Sequence, residues 1–333
     1  MTTAANDPAA AAECLKGTRA LVLGDMVADI YLDGRISRIS REAPVLVLEE
    51  MRERVVAGGA ANVAHNLALL GCDTLLAGFV GEDYHCRSLK EKLVENGIDH
   101  AGLVPTNRPT TTKMRIIGGH QQMMRLDFES TEPLEKIYID KFLAFVRCKL
   151  AESIDAIVVS DYAKGTCSEV TTTAIIEAAH AHGVPVIIDP KGANWTKYRG
   201  ADYITPNVKE INEILIDPIK NTDAEALKAA HYIMRKYRIK NVLVTRSESG
   251  VTLVREGEEV HIPTRAQEVF DVSGAGDTVI AVLAAGLAGG LKGRDAAFLA
   301  NLAASVVVRK LGTYAVSREE LKEELRKLPR EEA

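Results

Sequence analysis

The stretch from 271 to 290 is the part of the sequence that most constrains how the chain can fold. It reads Asp-Val-Ser-Gly-Ala-Gly-Asp-Thr-Val-Ile-Ala-Val-Leu-Ala-Ala-Gly-Leu-Ala-Gly-Gly, so a loop of small residues leads into an almost unbroken run of Ala, Val, Leu and Ile. A helix that is apolar on every side has to be buried on every side. The stretch therefore predicts a central helix that begins near Asp277 and is enclosed by a large domain.

The loop in front of this helix predicts an anion site. Gly274, Ala275 and Gly276 leave the backbone accessible where the helix begins, so unpaired N–H groups and the positive end of the helix dipole coincide. Asp277 would repel a bound anion, which is unfavourable for binding alone but suits a carboxylate that takes a proton from a hydroxyl attacking a phosphate. The alternative is that Asp277 is an ordinary first-turn acid on a core helix.

The composition is that of a globular chain with small-molecule rather than nucleic-acid or membrane partners. The 333 residues are 47% hydrophobic and 26% charged with a formal net charge of −5, which fits one large α/β domain or two smaller ones. This acidic balance argues against nucleic acid or an anionic membrane as the main partner. The most apolar run, 279–291, is too short and too interrupted by glycine to span a bilayer.

The chain ends and the cysteines predict a cytoplasmic protein. Residues 1–17 are Ala-rich without a basic start or a hydrophobic segment, so we expect a disordered tail rather than a signal peptide. Residues 319–333 are expected to be a charged, solvated tail. The cysteines favour a reducing compartment without a disulfide framework or a zinc site, because they are scattered and form no Cys-x-x-Cys pair. They are Cys14, Cys72, Cys86, Cys148 and Cys167.

Strand and helix patterns alternate from residue 154 onward. Apolar runs at 156–160, 184–189 and 242–245 are each followed by polar residues and then by a helical pattern, which indicates a parallel sheet with helices on both faces. Two segments, near 31–51 and 110–128, are instead typical of β-hairpins outside this sheet. We expect them to form a small β lid over the edge of the sheet where ligands bind.

Two groups of residues could hold a sugar: two acids after the first predicted strand, at the carboxyl end where such sheets bind ligands, and paired glycines with an Asn where a helix begins between the two β segments. Carboxylates and amides bond to hydroxyls, and glycines before a helix admit a ligand close to the backbone. Taken singly, each of these residues can equally be loop chemistry or a helix cap. The candidates are Asp25, Asp29, Gly58, Gly59 and Asn62.

The segment from 271 to 278, Asp-Val-Ser-Gly-Ala-Gly-Asp-Thr, resembles the signature of the ribokinase-like sugar kinases of the phosphofructokinase-B type. The resemblance implies a three-layer α/β sandwich with a mostly parallel central sheet and a small β lid that covers the sugar and often makes the dimer contact. It also implies that Asp277 is the catalytic base, with an anion hole formed by the amides around Gly274, Ala275 and Gly276.

The same resemblance assigns the sugar and ATP sites. Asp29 and the segment from Gly58 to Asn62 match sugar-binding positions, and Asn207-x-x-Glu210 matches a motif that tunes the magnesium and phosphate environment, where Glu210 would act through water. Arg246 would pair with ATP phosphates. ATP and Mg²⁺ are the cofactors that the resemblance implies. The other expected nucleotide-binding residues are Lys191, Thr245, Gly250 and Asn301.

A narrower set of motifs, including Ser160-Asp-Tyr-Ala-Lys-Gly and Asp189-Pro-Lys-Gly, resembles the family members that act on heptose 7-phosphate. It implies a kinase domain at 18–318 that uses ATP to phosphorylate the C1 hydroxyl of D-glycero-β-D-manno-heptose 7-phosphate, for ADP-heptose and lipopolysaccharide core synthesis. Some bacteria fuse this kinase to a nucleotidyltransferase, whereas we expect this chain to be the stand-alone form. We also expect a homodimer formed through the lid.

A sugar that bears a 7-phosphate requires cations far from the ATP phosphates. At least two of the available basic residues are expected to be ordinary solvated charges. The alternatives are the same chemistry on another sugar, such as a fructose phosphate or ribose, or a non-catalytic sugar- or nucleoside-binding regulator, against which the presence of Asp277 argues. The candidate cations are Arg38, Arg41, Lys113, Arg115 and Arg125 in the lid and Lys164 at the sheet edge.

Overall fold

The computed structural model describes residues 8–119, 121–266, 268–310 and 312–328. Its strands are β1 (Arg19–Gly24), β2 (Met26–Ile39), β3 (Leu46–Gly59), β4 (Asp73–Gly81), β5 (Asp99–Thr106), β6 (Thr112–Gly118), β7 (Gln121–Phe128), β8 (Ala156–Ser160), β9 (Val186–Asp189), β10 (Tyr203–Ile204), β11 (Asn241–Thr245), β12 (Val251–Arg255) and β13 (Glu258–Ile262). Within those ranges, nine of them form one sheet of order β13-β12-β11-β10-β9-β8-β1-β4-β5. The pairs from β5 to β11 are parallel, and β12 and β13 add an antiparallel edge.

Helices cover both faces of this sheet, because successive side chains of its buried strands enter two different apolar cores. In β1, Ala20 and Val22 belong to one core and Leu21 and Leu23 to the other. The helices are α1 (Pro8–Glu13), α2 (Ala60–Leu69), α3 (Tyr84–Glu95), α4 (Lys136–Leu150), α5 (Glu169–Ala181), α6 (Val208–Ile214), α7 (Asp223–Tyr237), α8 (Ala275–Ala288), α9 (Gly293–Val307) and α10 (Arg318–Arg326). Helix α8 is buried from Asp277 through Gly286, as the apolar run predicts. The α/β class is confirmed.

The two predicted hairpins form one four-stranded lid sheet. β2 pairs antiparallel with β3, β6 pairs antiparallel with β7, and β2 and β6 join the hairpins in parallel. The first hairpin extends beyond 31–51 because β2 and β3 continue inward as far as Met26 and Gly59. This continuation connects the lid directly to the glycines in front of α2.

The disordered tail was expected over 1–17, and residues 1–7 of it lie outside the described residues. From Pro8 to Glu13 the chain forms α1, and Ala12 and Leu15 are fully buried. Glu13 pairs with Lys322 on α10, so this segment is docked on the domain and the expectation is wrong there. Helix α10 is likewise anchored through buried Leu321 and Leu325. No helix in the described ranges is long and apolar enough to cross a membrane.

Candidate active site

The first turn of α8 is open toward solvent-accessible space. Gly274, its N-cap, has φ of 81°, a left-handed conformation that favours glycine, and no side chain caps this end. Among the described residues, the amides of Gly276 and Asp277 have no hydrogen-bond acceptor, whereas that of Ala275 donates to the Val272 carbonyl. Two N–H groups and the helix dipole therefore point to one place, which is the predicted anion hole.

Asp277 lies beside this opening and is held by two donors. Its side chain is buried, with 5% of the residue exposed. The Asn62 side-chain amide donates to Oδ2 at 2.7 Å, and the Tyr162 hydroxyl donates to Oδ1 at 2.9 Å. Burial raises the pKa of the Asp277 carboxyl to about 6, although both hydrogen bonds lower it. The carboxyl is thus ionised at neutral pH and able to accept a proton.

Asn62 is itself oriented by a neighbouring amide. Asn66, one turn later on α2, donates to the Asn62 carbonyl at 2.9 Å and accepts a hydrogen bond of 2.8 Å from the Thr278 hydroxyl. These bonds connect α2 with the first turn of α8. They fix the position of Asn62 relative to Asp277.

A cavity of about 480 Å³ lies between the lid and α8. Asp277 and most of the residues predicted to bind the sugar line its walls. A Cβ at Gly58 would lie 2.2 Å from Asp29 Oδ2, so a larger residue there would displace the Asp29 carboxylate. The predicted residues that the structure brings together here are Asp29, Gly58, Gly59, Asn62, Lys113, Arg115, Gly274 and Asp277.

A second cavity, of about 170 Å³, also has Asp277 in its lining. The side chain of Asn207 caps α6 by accepting from the Glu210 amide at 2.9 Å, and Glu210 accepts from the Asn207 amide in return at 3.0 Å. Lys191 forms an ion pair of 3.0 Å with Glu210. The predicted residues that line this cavity are Lys191, Asn207, Glu210, Thr245, Gly274, Gly276 and Asp277.

The donors of this second cavity fit a hydrated magnesium ion. Burial, with repulsion from Glu210 and Asp277, raises the pKa of the Asp189 carboxyl well above its ordinary value, so a cation would relieve an excess of carboxylates. In the described part of the chain, no three His, Cys, Asp or Glu side chains form a cluster that could hold a metal ion. Mg²⁺ keeps much of its water and often uses only one or two protein carboxylates. Asp189 and Glu210 are therefore the residues that would hold it.

Several predicted residues lie outside both cavities and have structural contacts instead. Asp25 accepts hydrogen bonds from the amides of Tyr162, Lys164 and Thr166, each at 2.9 Å, so it holds the loop after β8. The side chain of Asn301 donates to the Pro263 carbonyl at 2.9 Å. A Cβ at Gly250, where φ is 78°, would meet the Ile262 carbonyl oxygen at 2.1 Å.

Arg246 also differs from its expected position. Its guanidinium is buried and donates to Asp223 at 2.6 Å, to Asn221 at 3.0 Å and to Thr252 at 2.9 Å. All of these partners belong to the protein, and Arg246 lines neither cavity. The interpretation of Arg246 as a phosphate ligand is not supported by these contacts.

Four of the six predicted phosphate-binding cations also lie outside the cavities. They are exposed or paired with lid or loop carboxylates, as expected of solvated charges. Arg38 pairs with Glu49, Arg125 with Asp127 and Lys164 with Glu129, and Arg41 is exposed in the turn after β2.

The sequence interpretation gave no role to several residues that line the cavities, among them Tyr31 and Arg54 in the lid, Tyr162, and Asp189. The motifs around Tyr162 and Asp189 marked strand ends without giving either residue a role. The Tyr31 and Arg54 positions depend on the β2–β3 register, where they are direct partners. That register could not be read from either strand alone.

Comparison with known proteins assigns the family. A family model described as pfkB family carbohydrate kinase matches residues 18–320. The bifunctional protein HldE of Syntrophotalea carbinolica is 45% identical over 312 residues, which are 93% of this chain and 63% of that protein. HldE of Pectobacterium atrosepticum is 45% identical over 307 residues, or 92% of this chain and 63% of that protein. The chain thus spans less than two thirds of the length of these relatives.

Solved structures agree on the fold. Phosphofructokinase-2 from Escherichia coli aligns with a TM-score of 0.76 at 18% identity, over 93% of this chain and 98% of that one. Arabidopsis thaliana ribokinase, complexed with ribose and ATP, aligns with a TM-score of 0.73 at 23% identity, over 94% of this chain and 100% of that one. These similarities confirm the ribokinase-like fold. With the family match over most of its length, the chain belongs to the pfkB family of carbohydrate kinases and is a sugar kinase.

Proposed function

We propose that this chain is an ATP-dependent kinase that phosphorylates the C1 hydroxyl of D-glycero-β-D-manno-heptose 7-phosphate to the 1,7-bisphosphate, for ADP-heptose and lipopolysaccharide core synthesis. The observation that carries the proposal is the position of Asp277, which lines both the lid cavity and the cavity beside Glu210. A sugar in the first cavity and the γ-phosphate of ATP in the second would meet at this carboxylate.

In the proposed reaction Asp277 accepts the proton of the C1 hydroxyl. The C1 oxygen forms a bond to the γ-phosphorus, the bond from that phosphorus to the β,γ-bridging oxygen breaks, and the electron pair leaves on ADP. The amides of Gly276 and Asp277 donate to the transferring phosphoryl group, where negative charge is spread over its oxygens. Asn62 and Tyr162 keep the carboxylate oriented throughout.

Mg²⁺ bound with ATP would neutralise charge on the phosphates. Glu210 and Asp189 would hold its water ligands, and Lys191 would keep Glu210 in place through their ion pair. The nucleotide phosphates would lie against Thr245 and Asn207, which line the same cavity.

Heptose 7-phosphate is favoured over a plain sugar by two observations. The lid end of the sugar cavity contains Lys113 and Arg115, two of the cations predicted to bind the distant phosphate. The motifs that resemble heptose 7-phosphate kinases occur in the same strands and strand ends that line the site, including Gln122 and Tyr162.

A sugar panel tests the proposal. ADP release would be measured with ATP and Mg²⁺ on heptose 7-phosphate, unphosphorylated heptose, fructose 6-phosphate, fructose 1-phosphate and ribose, with phosphorus NMR to locate the new phosphate. Asp277→Asn is the matched control for contaminating kinases. We expect the highest kcat/KM with heptose 7-phosphate and a new phosphate on C1. A higher kcat/KM with another sugar would assign the chain to that substrate, and no turnover of any sugar would favour the non-catalytic regulator.

A further inference from the structure

The lid end of the sugar cavity contains two cations that have no carboxylate partner among the described residues. Arg54 and Lys113 both line the cavity, and neither forms an ion pair with any described residue. Arg115, the third cation there, forms an ion pair of 2.5 Å with Asp29. Two positive charges are therefore left at this end of the cavity.

Arg54 is held in the cavity wall by an aromatic ring. In the lid sheet Tyr31 is the direct register partner of Arg54 on β3 and of Arg115 on β6, so the three side chains share one face. The guanidinium carbon of Arg54 lies 4.3 Å from the centre of the Tyr31 ring, and that of Arg115 lies 5.2 Å from it. Both distances are within the range of cation–π attraction.

The charges that line the cavity are separated by sign along its length. The lid end has the unpaired Arg54 and Lys113, whereas the end at α8 has the carboxylates of Asp271 and Asp277. Both oxygens of the Asp271 carboxylate already accept hydrogen bonds from the protein, from the amides of Ser273 at 2.9 Å and Gly312 at 3.0 Å. A substrate with a negative group at one end and a reacting hydroxyl at the other would match this distribution.

We propose that Arg54, positioned by the Tyr31 ring, is a specificity-determining residue that binds a phosphate monoester at the end of the sugar opposite the reacting hydroxyl, together with Lys113. The proposal rests on the kinase function above and adds the residue that selects the phosphorylated substrate, Arg54, and the ring that positions it. A phosphate monoester carries about −1.5 to −2 charges at pH 7, which matches the two unpaired cations. The planar guanidinium can give two parallel hydrogen bonds to phosphate oxygens, which a lysine cannot.

The test compares Arg54→Gln with Arg52→Gln. Arg52 is on the same strand and the same side of the lid sheet and is exposed, as Arg54 is, but it does not line the sugar cavity. For each variant, kcat/KM would be measured with the phosphorylated sugar that the wild type uses best and with its dephosphorylated parent. Loss of a charge-assisted bond should lower kcat/KM for the phosphorylated sugar by roughly 10- to 150-fold in Arg54→Gln. The value for the parent sugar, and both values for Arg52→Gln, should change less than about threefold.

Two ring variants test the positioning role of Tyr31. Tyr31→Phe retains the ring face and should behave like the wild type, whereas Tyr31→Leu should show part of the Arg54→Gln defect, with the same restriction to phosphorylated sugars. Equal losses in Tyr31→Phe and Tyr31→Leu would overturn this role.

The outcomes separate this inference from the proposed function. If the wild type prefers a different phosphorylated sugar, the heptose assignment fails. The effect of Arg54→Gln on kcat/KM is then measured with that sugar and its dephosphorylated parent. Suppose that the wild type prefers heptose 7-phosphate but Arg54→Gln leaves kcat/KM unchanged, or lowers it equally for the phosphorylated sugar and its parent. The role of Arg54 is then wrong, while the proposed function stands. If the wild type turns over no phosphorylated sugar better than its parent, both fail. Thermal denaturation of each variant checks that the exposed substitutions leave the fold intact.

Discussion

The side-chain amide of Asn62 donates a hydrogen bond of 2.7 Å to the carboxylate of Asp277, a residue 215 positions later in the chain. Asn62 is in the first turn of α2, which directly follows the lid strand β3, and Asp277 is in the first turn of the buried helix α8. The bond therefore connects the lid-bearing part of the fold with the anion hole. It also lowers the pKa of a carboxyl that burial would otherwise raise further.

Replacement of Asp277 by Asn should abolish most turnover without abolishing nucleotide binding. If the carboxylate is the proton acceptor, kcat should fall by about 10²-fold or more, while the amides that bind phosphate remain. Steady-state kinetics and calorimetric titration with ATP measure the two properties. Unchanged turnover in the folded variant would remove Asp277 from the mechanism.

The activity of the wild type should fall on the acid side of a pKa near 6. Protonation of Asp277, whose pKa burial raises to about 6, removes the base, so kcat/KM should decrease about tenfold per pH unit below that value. The profile would be measured from pH 4.5 to 8.5 at constant ionic strength. A flat profile below pH 6 would contradict the assignment.

Tyr162→Phe supplies the control for this profile, because the substrate phosphates titrate in the same range. The Tyr162 hydroxyl stabilises the ionised carboxylate, so its loss should raise the pKa of Asp277 and move the acid limb to higher pH. The ionisation of ATP and sugar is identical in both enzymes. Only a shift between the two profiles reports on Asp277, and coincident profiles would show that the substrates titrate instead.

Stability should depend on pH through the same carboxyl. Because the pKa of Asp277 is raised from 3.8 to about 6 in the folded state, the native protein binds more protons than the unfolded chain between these values, and its stability falls as pH rises through this window. Asp277→Asn cannot ionise, so its stability relative to the wild type should be about 1 kcal/mol greater at pH 8 than at pH 5. Chemical denaturation at both pH values measures the difference, and an equal or opposite difference would contradict the burial of an ionised carboxylate.

The parts of the site that could be predicted from the sequence are those formed by short local motifs. Gly274 to Asp277, Gly58 to Asn62 and Asn207 to Glu210 each act within one helix start, so their spacing alone indicates what their backbone does. The lid pairing was predictable because a lone hairpin is marginally stable.

Contacts that depend on distant partners could not be predicted in the same way. Arg54 was missed because its place in the cavity depends on a cross-strand partner. Arg246 was assigned to ATP from a resemblance of its loop, and its contact with Asp223 could not be foreseen because Asp223 lies 23 positions earlier, on α7. The helix at Pro8–Glu13 was missed because six residues form a stable helix only when they dock, and α10 supplies the docking surface.

The lid should form a homodimer. Its outer strands are sheet edges, and apolar side chains are exposed along them, including Leu46 at 48% and Met124 at 55%. We expect a dimer at micromolar concentration by light scattering, and Leu46→Glu with Met124→Glu should shift it toward monomer by burying charge at the contact. The control is Ile216→Glu, since Ile216 is 98% exposed outside the lid. A monomeric wild type would contradict the prediction.

Arg246 should act on nucleotide binding through the loop it anchors rather than through direct contact. Its guanidinium fixes Asn221 and Asp223 to the end of β11, directly beside Thr245 in the nucleotide cavity. Arg246→Met should lower the free energy of unfolding by about 1–3 kcal/mol and raise KM for ATP, because the buried hydrogen bonds are lost. The exposed Arg235→Met is the matched control on α7.

The partner variant Asp223→Asn decides between anchoring and direct contact for Arg246. Asp223 lines neither cavity, so it can affect ATP only through Arg246 or the segment that Arg246 holds. If Arg246 anchors the loop, Asp223→Asn should raise KM for ATP in the same direction, and the double variant should be less affected than the product of the two single effects, since both disrupt one network. If Arg246 bound ATP phosphate directly, Arg246→Met would raise KM strongly while Asp223→Asn left it unchanged, and the anchoring role would be excluded.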